Sequence, residues 1–366
     1  MVGENYTEEL QQVLQENYAS TKAEDKKKAY DKLEEYLKTC YDAGKIGMGY
    51  APGGSGLEAW YLNKGTTTFN SGGGSSENTF YVEIGDDNFE VKNWFASDLM
   101  RMNYEKMADW YNKGYIRKDV GSLEKIEVDF KKDGLNGYIT SIHNAFTDSI
   151  AKEESVKAGF PVEVAITNPK CEYVLGTATG TSIPKTCKNP EKAMQVINFF
   201  YADEGKDAYQ TFVYGIKDKH WVDNGDGTVK WLCGDNSQGT PDWDYGNMKW
   251  TLGTCMNSLV TQGDTKGYYE ELKAQEEGAW VNPLLSFKFD NTKVQTQAAQ
   301  VETVTKEYVP TLQRGALGSG WEARYNEFLQ KLEDAGVNDI MAEYQRQVDE
   351  YVKANNCKWT PLPEAK

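Results

Sequence analysis

Residues Val174 to Phe200 read VLGTATGTSIPKTCKNPEKAMQVINFF, and the fold is decided here. The first part sets β-branched and small residues among glycines (Val174, Gly176, Thr177, Thr179, Gly180, Ser182, Ile183), which suits a buried strand closely approached by another backbone. Pro184 cannot donate to a ladder and ends the strand. Asn189-Pro190-Glu191 then reads as a helix start, with an Asn side chain to cap free amides, Pro at the first helical position and an acid on the positive end of the dipole. Ala193, Met194, Val196, Ile197 and Phe200 continue as one apolar helical face. The unit is strand, turn, helix.

Upstream, Lys26 to Ala43 form a helix with Ala29, Leu33, Tyr36, Leu37 and Cys40 on one face, stopped by Gly44. Glycines at 47, 49, 53, 54 and 56 then loosen the backbone before a short helix, Leu57 to Leu62, that carries Trp60 and Tyr61. No Gly-Lys-Ser/Thr follows them, so they do not read as a phosphate cradle. A strand is expected over Thr79–Ile84, with a turn at Gly85-Asp86-Asp87-Asn88. Ser97 caps a helix running to Asn112, and Gly114 ends it in a left-handed conformation. In LNGYITSIHNAF, Tyr138, Thr140 and Ile142 alternate as a strand before the chain turns through His143, Asn144 and Phe146. FPVEVAI, Phe160–Ile166, reads as one more strand.

Downstream, a helix over Gly205–Tyr214 is followed by the hairpin HWVDNGDGTVKW, whose Asp223–Gly227 loop reads as a tight turn rather than a calcium site. Three C-terminal helices are expected. One runs from Thr292 to Tyr308, a second is marked by Trp321, Tyr325, Phe328, Leu329 and Leu332 up to Gly336, and a third by Ile340, Met341, Tyr344, Val348, Tyr351 and Val352.

The chemistry that is missing narrows the function. With 56 acidic against 40 basic residues, the net charge of -16 repels nucleic acid and anionic membranes, so neither is an expected partner. No apolar run approaches the roughly 18 residues of a membrane span. The two histidines, His143 and His220, have no metal-ligand neighbour at i+3 or i+4, no Gly-x-Ser-x-Gly occurs, and no metal or cofactor is expected. The six cysteines are an even number that permits disulfides, though their spacing cannot pair them. A pair of carboxylates able to hydrolyse a glycoside is not excluded, because acids are abundant. Aromatic residues make up 13% of the chain. Sugar rings offer an apolar C–H face and a rim of hydroxyls, so Trp or Tyr planes beside amides suit them, and a large aromatic core explains the same composition.

Ile183-Pro184-Lys185-Thr186-Cys187-Lys188-Asn189-Pro190-Glu191-Lys192-Ala193 resembles the segment that returns the chain from second lobe to first in the solute-binding proteins of ABC transporters. Three further stretches resemble that family in the expected order. Trp110, Tyr111, Gly114, Tyr115, Ile116 and Asp119 match a Trp-Tyr-x-x-Gly-Tyr-Ile-x-x-Asp signature, and Trp243, Gly246 and Asn247 match Trp-x-x-Gly-Asn. Asn282-Pro283-Leu284-Leu285, Phe287-x-Phe289-Asp290 and Tyr308-x-Pro310 resemble the C-terminal, DUF3502-like region of a carbohydrate-type subgroup.

The resemblance implies a helix-rich α/β protein with the two-lobed, type II periplasmic-binding-protein-like fold. Residues 1–172 would form the second lobe, 173–232 a segment returning to the first, and 233–366 a helical C-terminal region packing across the lobes. It implies no catalysis. Its expected ligand contacts are Trp60, Tyr61, His143, Asn144, Phe146, Trp243, Tyr245 and Asn247, for which core and turn packing is the competing explanation. The implied partners are a small solute, in the first place a carbohydrate, and the transmembrane subunits of an ABC permease. A monomeric, extracytoplasmic, cell-surface lipoprotein is implied, with signal and lipid anchor lying outside this chain. Nothing before Lys26 reads as the strand-helix-strand units with which the family begins. The chain is therefore expected to be N-terminally truncated, with an incomplete first lobe and weak or absent affinity. A secreted glycoside hydrolase, or a peptide or amino-sugar receptor of the same fold, are the alternatives.

Overall fold

The computed structural model describes residues 5–16, 20, 22–44, 66–69, 79–122, 151, 155, 161–166, 172–173, 180–232, 248–249, 251–261 and 267–359. Among them the helices are α1 (Tyr6–Gln15), α2 (Ala23–Asp42), α3 (Asp98–Lys113), α4 (Pro190–Tyr201), α5 (Lys206–Tyr214), α6 (Tyr268–Gly278), α7 (Gln295–Gln313), α8 (Trp321–Asp334) and α9 (Val337–Asn355). The strands are β1 (Thr66–Phe69), β2 (Phe80–Glu83), β3 (Lys92–Asn93), β4 (Glu172–Tyr173), β5 (Trp221–Asp223), β6 (Thr228–Trp231), β7 (Val260–Thr261) and β8 (Trp280–Val281).

Two compact units result. Unit 1 takes Met1–Thr147, Glu153–Tyr173 and Trp280–Lys366, and unit 2 takes Asp148–Lys152 and Val174–Ala279. The sequence reading drew its second boundary after residue 232, whereas unit 2 runs on to Ala279. β4, the last residues before the chain leaves unit 1, pairs in parallel with β8, the first after its return, with Glu172 opposite Trp280. A parallel pair needs a crossover of a dozen or more residues, and here the body of unit 2 supplies it.

Among the described residues unit 1 is a helical core with a three-stranded sheet and the β4–β8 pair. Ser97 Oγ accepts from Met100 N (3.2 Å) at the start of α3, and Gly114 ends the helix at φ 81° with Tyr115 N donating back to Trp110 O (2.9 Å). Leu99, Met100, Tyr104, Met107 and Trp110 of α3 are buried against Val309 and Leu312 of α7, Tyr325, Phe328 and Leu332 of α8 and Tyr344 of α9. Ring stacking tightens the contact, Tyr308 on Phe328 at 5.5 Å and Phe289 on Tyr344 at 3.6 Å. Tyr30 of α2 donates to Asn103 Oδ1 of α3 (2.7 Å). β1, β2 and β3 form an antiparallel sheet with Phe80 opposite Asn93.

The α7–α8 turn approaches α3 backbone to backbone. Gly315 has φ 65°, and a Cβ there would lie 2.2 Å from the Met107 carbonyl oxygen, so only glycine fits.

Two expectations in this unit need correction. α7 does not stop near Tyr308 but passes through Pro310 to Gln313. Val309 and Leu312 are both buried there, and burying such side chains at about 1.5–3 kcal/mol each offsets the roughly 3 kcal/mol a proline costs inside a helix. Residues 161–166 form no strand. They run past α1, where Gln11 Oε1 accepts from Ile166 N (2.9 Å) and Gln15 Nε2 donates to Ile166 O (3.1 Å), so side-chain amides replace a ladder. Cys40 and Cys357 here, like Cys187 and Cys255 in unit 2, are free thiols, while Cys171 and Cys233 lie outside the described residues.

Unit 2 packs Tyr209, Val213 and Tyr214 of α5 on Trp221, Val229 and Trp231 of the hairpin. β5 and β6 are antiparallel and β7 lies parallel to β6. α4 begins at Pro190 as the sequence predicts, but the Asn189 side chain makes no capping bond, and the first turn closes through Ala193 N to Asn189 O (3.1 Å). Residues 180–184 carry no strand, and 174–179 lie outside the described residues. The apolar face expected on α4 is only partly covered. Ala193, Ile197 and Phe200, spaced i, i+4, i+7, are half-buried, while Met194 and Val196 stay 49% and 56% exposed beside the outward Phe199 and Tyr201.

Glu343 of α9 accepts from Arg346 (2.6 and 2.9 Å) and Gln347 (3.0 Å) and lies 3.4 Å from Lys293. These partners, Arg346 foremost, hold its carboxyl at about 2. A folded-state value below the unfolded one, about 4.3, gives stability that is complete above the unfolded value and lost as pH falls toward 2. Thermal melts across that window are expected to fall more steeply for the wild type than for Glu343→Gln. Parallel curves would show that this cluster contributes nothing.

Candidate functional site

All eight expected ligand contacts lie outside the described residues: Trp60 and Tyr61 in the 45–65 segment, His143, Asn144 and Phe146 in 123–150, and Trp243, Tyr245 and Asn247 in 233–247. The structure shows instead how the chain next to each segment is held.

The 45–65 segment follows α2, whose Tyr41 ring meets Tyr115 edge-on at 5.6 Å. The 123–150 segment follows a single 3-10 turn, Val120–Ser122. Ser122 Oγ donates to Asp119 O (2.8 Å), and Arg314 Nη1 donates to Gly121 O (3.4 Å). Trp243, Tyr245 and Asn247 are followed at once by Met248 and Lys249, which are described.

Three side chains of α5 reach main-chain carbonyls of this downstream stretch. Tyr209 OH donates to Lys249 O (3.3 Å), Gln210 Nε2 to Asn257 O (3.0 Å) and Tyr214 OH to Leu259 O (3.0 Å). The sequence reading took these residues only as a helix. Their signal was a pair of tyrosines on a short helix, whose hydroxyls need acceptors once buried. Beyond Lys249, Thr254 Oγ1 caps a 3-10 turn over Cys255–Asn257, and β7 then joins the sheet. The described chain just beyond Asn247 is thus held by α5 and by this turn.

Several buried polar groups of unit 2 are chemically quiet. Burial pushes the Tyr209 and Tyr269 hydroxyls and the Cys255 thiol up, so all three stay protonated at neutral pH and none is a nucleophile. His220 belongs to a turn, where its Nδ1 accepts from Ile216 N (2.9 Å). Asn257 Nδ2 and Trp231 Nε1 are buried donors without an acceptor among the described residues. Among the described residues no group of three or more His, Cys, Asp or Glu side chains could hold a metal ion, and no helix is long and apolar enough to cross a membrane.

Residues 283–353, which include α7, α8 and most of α9, match a family model described as a domain of unknown function, DUF3502. Over 88% of this chain and 68% of theirs, crystal structures of the N-glycan transport solute binding protein (NgtS) from Streptococcus pneumoniae superpose with TM-score 0.64, and 0.61 for the complex with Man1GlcNAc, each at 18% identity. The fold is that of the solute-binding proteins. A carbohydrate ABC transporter substrate-binding protein from Streptococcus pneumoniae serotype 4 is 22% identical over 287 residues. That alignment takes in 75% of this chain and 54% of the relative, so the chain spans little more than half the length of that protein. In this solute-binding fold the DUF3502 match supplies the α7–α9 part of the unit 1 core.

Replacing Tyr209 or Tyr214 by Phe is expected to destabilise unit 2 by about 1 kcal/mol each, because each leaves a carbonyl unbonded. Tyr111→Phe, whose exposed hydroxyl bonds Lys118 O (3.2 Å) in unit 1, serves as the mild control. Urea unfolding followed by tryptophan fluorescence measures all three, and equal midpoints would remove the clamp.

Proposed function

We propose that the protein is the extracytoplasmic solute-binding component of an ABC importer, taking a saccharide and delivering it to the transmembrane permease without making or breaking a bond. The observation that carries this reading is the solute-binding fold shared over 88% of the chain with a protein solved in complex with Man1GlcNAc. The name of the carbohydrate-type relative supports it. Trp60, Tyr61, Phe146, Trp243 and Tyr245 would supply planes for the apolar faces of sugar rings, and His143, Asn144 and Asn247 the hydrogen bonds to their hydroxyls. The inert buried tyrosines and thiol of unit 2 suit a receptor better than an enzyme.

In this reading unit 1 corresponds to the second lobe with its C-terminal helices, and unit 2 belongs to the first.

Melting curves of the protein with millimolar mono-, di- and oligosaccharides built from mannose and N-acetylglucosamine test the reading, with short peptides as the contrast. A saccharide that binds only the folded state raises the melting temperature by mass action, reaching about 2.7 kcal/mol of stabilisation at a hundred times its dissociation constant. Trp243→Ala is expected to weaken binding several-fold, in line with about 0.5–1.5 kcal/mol for a lost aromatic contact. Stabilisation by peptides alone would favour the peptide receptor, and release of nitrophenol from chromogenic glycosides would establish a hydrolase.

A further inference from the structure

The β5–β6 hairpin turns through Asp223-Asn224-Gly225-Asp226-Gly227, all of them exposed. Short local bonds shape the turn. Asn224 N donates to Thr228 O (3.0 Å) and Asn224 Nδ2 to Thr228 Oγ1 (2.9 Å), which draws the side-chain amide back across the loop. Gly225 N donates to Asp223 Oδ1 (2.8 Å). Gly225 sits at φ 76°, carries no side chain to screen its nitrogen, and has nothing described within 4 Å of the place a Cβ would take.

A backbone nitrogen one residue beyond an asparagine reaches that asparagine's Cγ by closing a five-membered ring. Such an intramolecular attack needs approach rather than a partner molecule. Approach is ordinarily blocked by the following side chain or by a backbone locked in a helix or ladder, and neither obstacle stands between Asn224 and Gly225, since β5 ends at Asp223. Asp223 adds an acceptor already seated on the N–H that must lose its proton. Asp226-Gly227 in the same turn provides the contrast. Gly227 is equally open at φ 89°, but the Asp226 carboxylate accepts from Thr228 N (2.9 Å) and Thr228 Oγ1 (2.7 Å), and an anion so held is a poor target for a nucleophile.

We infer that Asn224 is a site of spontaneous covalent modification, deamidating through a cyclic imide with Asp223 as the base. The bond from Gly225 N to Cγ forms as the N–H proton passes to Asp223, the Cγ–Nδ2 bond breaks, and the proton leaves with Nδ2 as ammonia. Water then opens the imide at either carbonyl, giving aspartate or isoaspartate, with no oxidant or cofactor. Isoaspartate routes the main chain through the side chain and lengthens it at the turn that sets the pairing of Asp223 with Val229 and Trp221 with Trp231. Those two tryptophans pack on α5, so the modification loosens the core of unit 2 from the hairpin tip inward.

Incubation of the whole chain in mildly alkaline buffer, followed by peptide mapping with mass spectrometry, tests the inference. Amide-to-acid conversion is expected at 224, as a mixture of aspartate and isoaspartate, while Asp226 keeps its ordinary linkage. Mapping also separates this site from the other Asn-Gly pair of the chain, Asn136-Gly137. Asp223→Ser keeps an acceptor for the Gly225 N–H but is a far weaker base, so conversion should slow several-fold while the thermal melt followed by tryptophan fluorescence stays in place. An Asn224 still intact when a free Asn-Gly peptide in the same tube has converted, or isomerisation of Asp226 ahead of it, would overturn the site. Equal rates in the wild type and Asp223→Ser would overturn the part given to Asp223. If Asp223→Ser does not fold, the wild-type time course decides the site alone.

Discussion

Unit 1 depends on how closely the α7–α8 turn sits on α3. At Gly315 the two backbones meet with no room for a single methyl, and from that point α7 and α8 splay out to bury Leu312, Tyr325 and Phe328 against Tyr104, Met107 and Trp110. A side chain at 315 would push the turn off the Met107 carbonyl and open a seam between well-packed helices. Interiors packed to crystal density do not absorb such a displacement locally. Pro310 belongs to the same constraint. Its lost hydrogen bond is tolerated because the helix on both sides is anchored in that core.

Unit 2 meets a different requirement. Its core is smaller, and much of its order comes from side chains of α5 bonding to main-chain carbonyls beyond Asn247. Such bonds hold backbone in place without contributing reactive groups. Binding without chemistry asks for that combination, because affinity gained through preorganised hydrogen bonds is lost if the residues carrying them must first be ordered.

Elements with strong internal punctuation were legible in the sequence. Ser97 and Gly114 bracket α3, the stripes of α8 and α9 meet at Gly336, and Asp223–Gly227 turns the hairpin, since each is settled by residues a few positions apart. What failed was decided from farther away. FPVEVAI alternates like a strand, but two glutamines of α1 take its backbone groups. Pro310 signals a stop that burial overrides, and the spacing of α4 shows an apolar face without saying how much of it finds a neighbour. The candidate site was read on glycine-rich and loop-forming stretches, where resemblance rather than periodicity carried the reading, and its eight residues fall outside the described ones.

The outward side of α4 sets how the molecule behaves in concentrated solution. Met194, Val196, Phe199 and Tyr201 give it a sticky flank, and at neutral pH mutual repulsion between molecules of charge -16 keeps those flanks apart. Acidification neutralises carboxylates and strong salting-out agents reinforce apolar burial, so either condition lets flank meet flank. Storage buffers on the alkaline side, and chromatography resins that grip greasy surfaces only at high sulfate, follow directly from one helix.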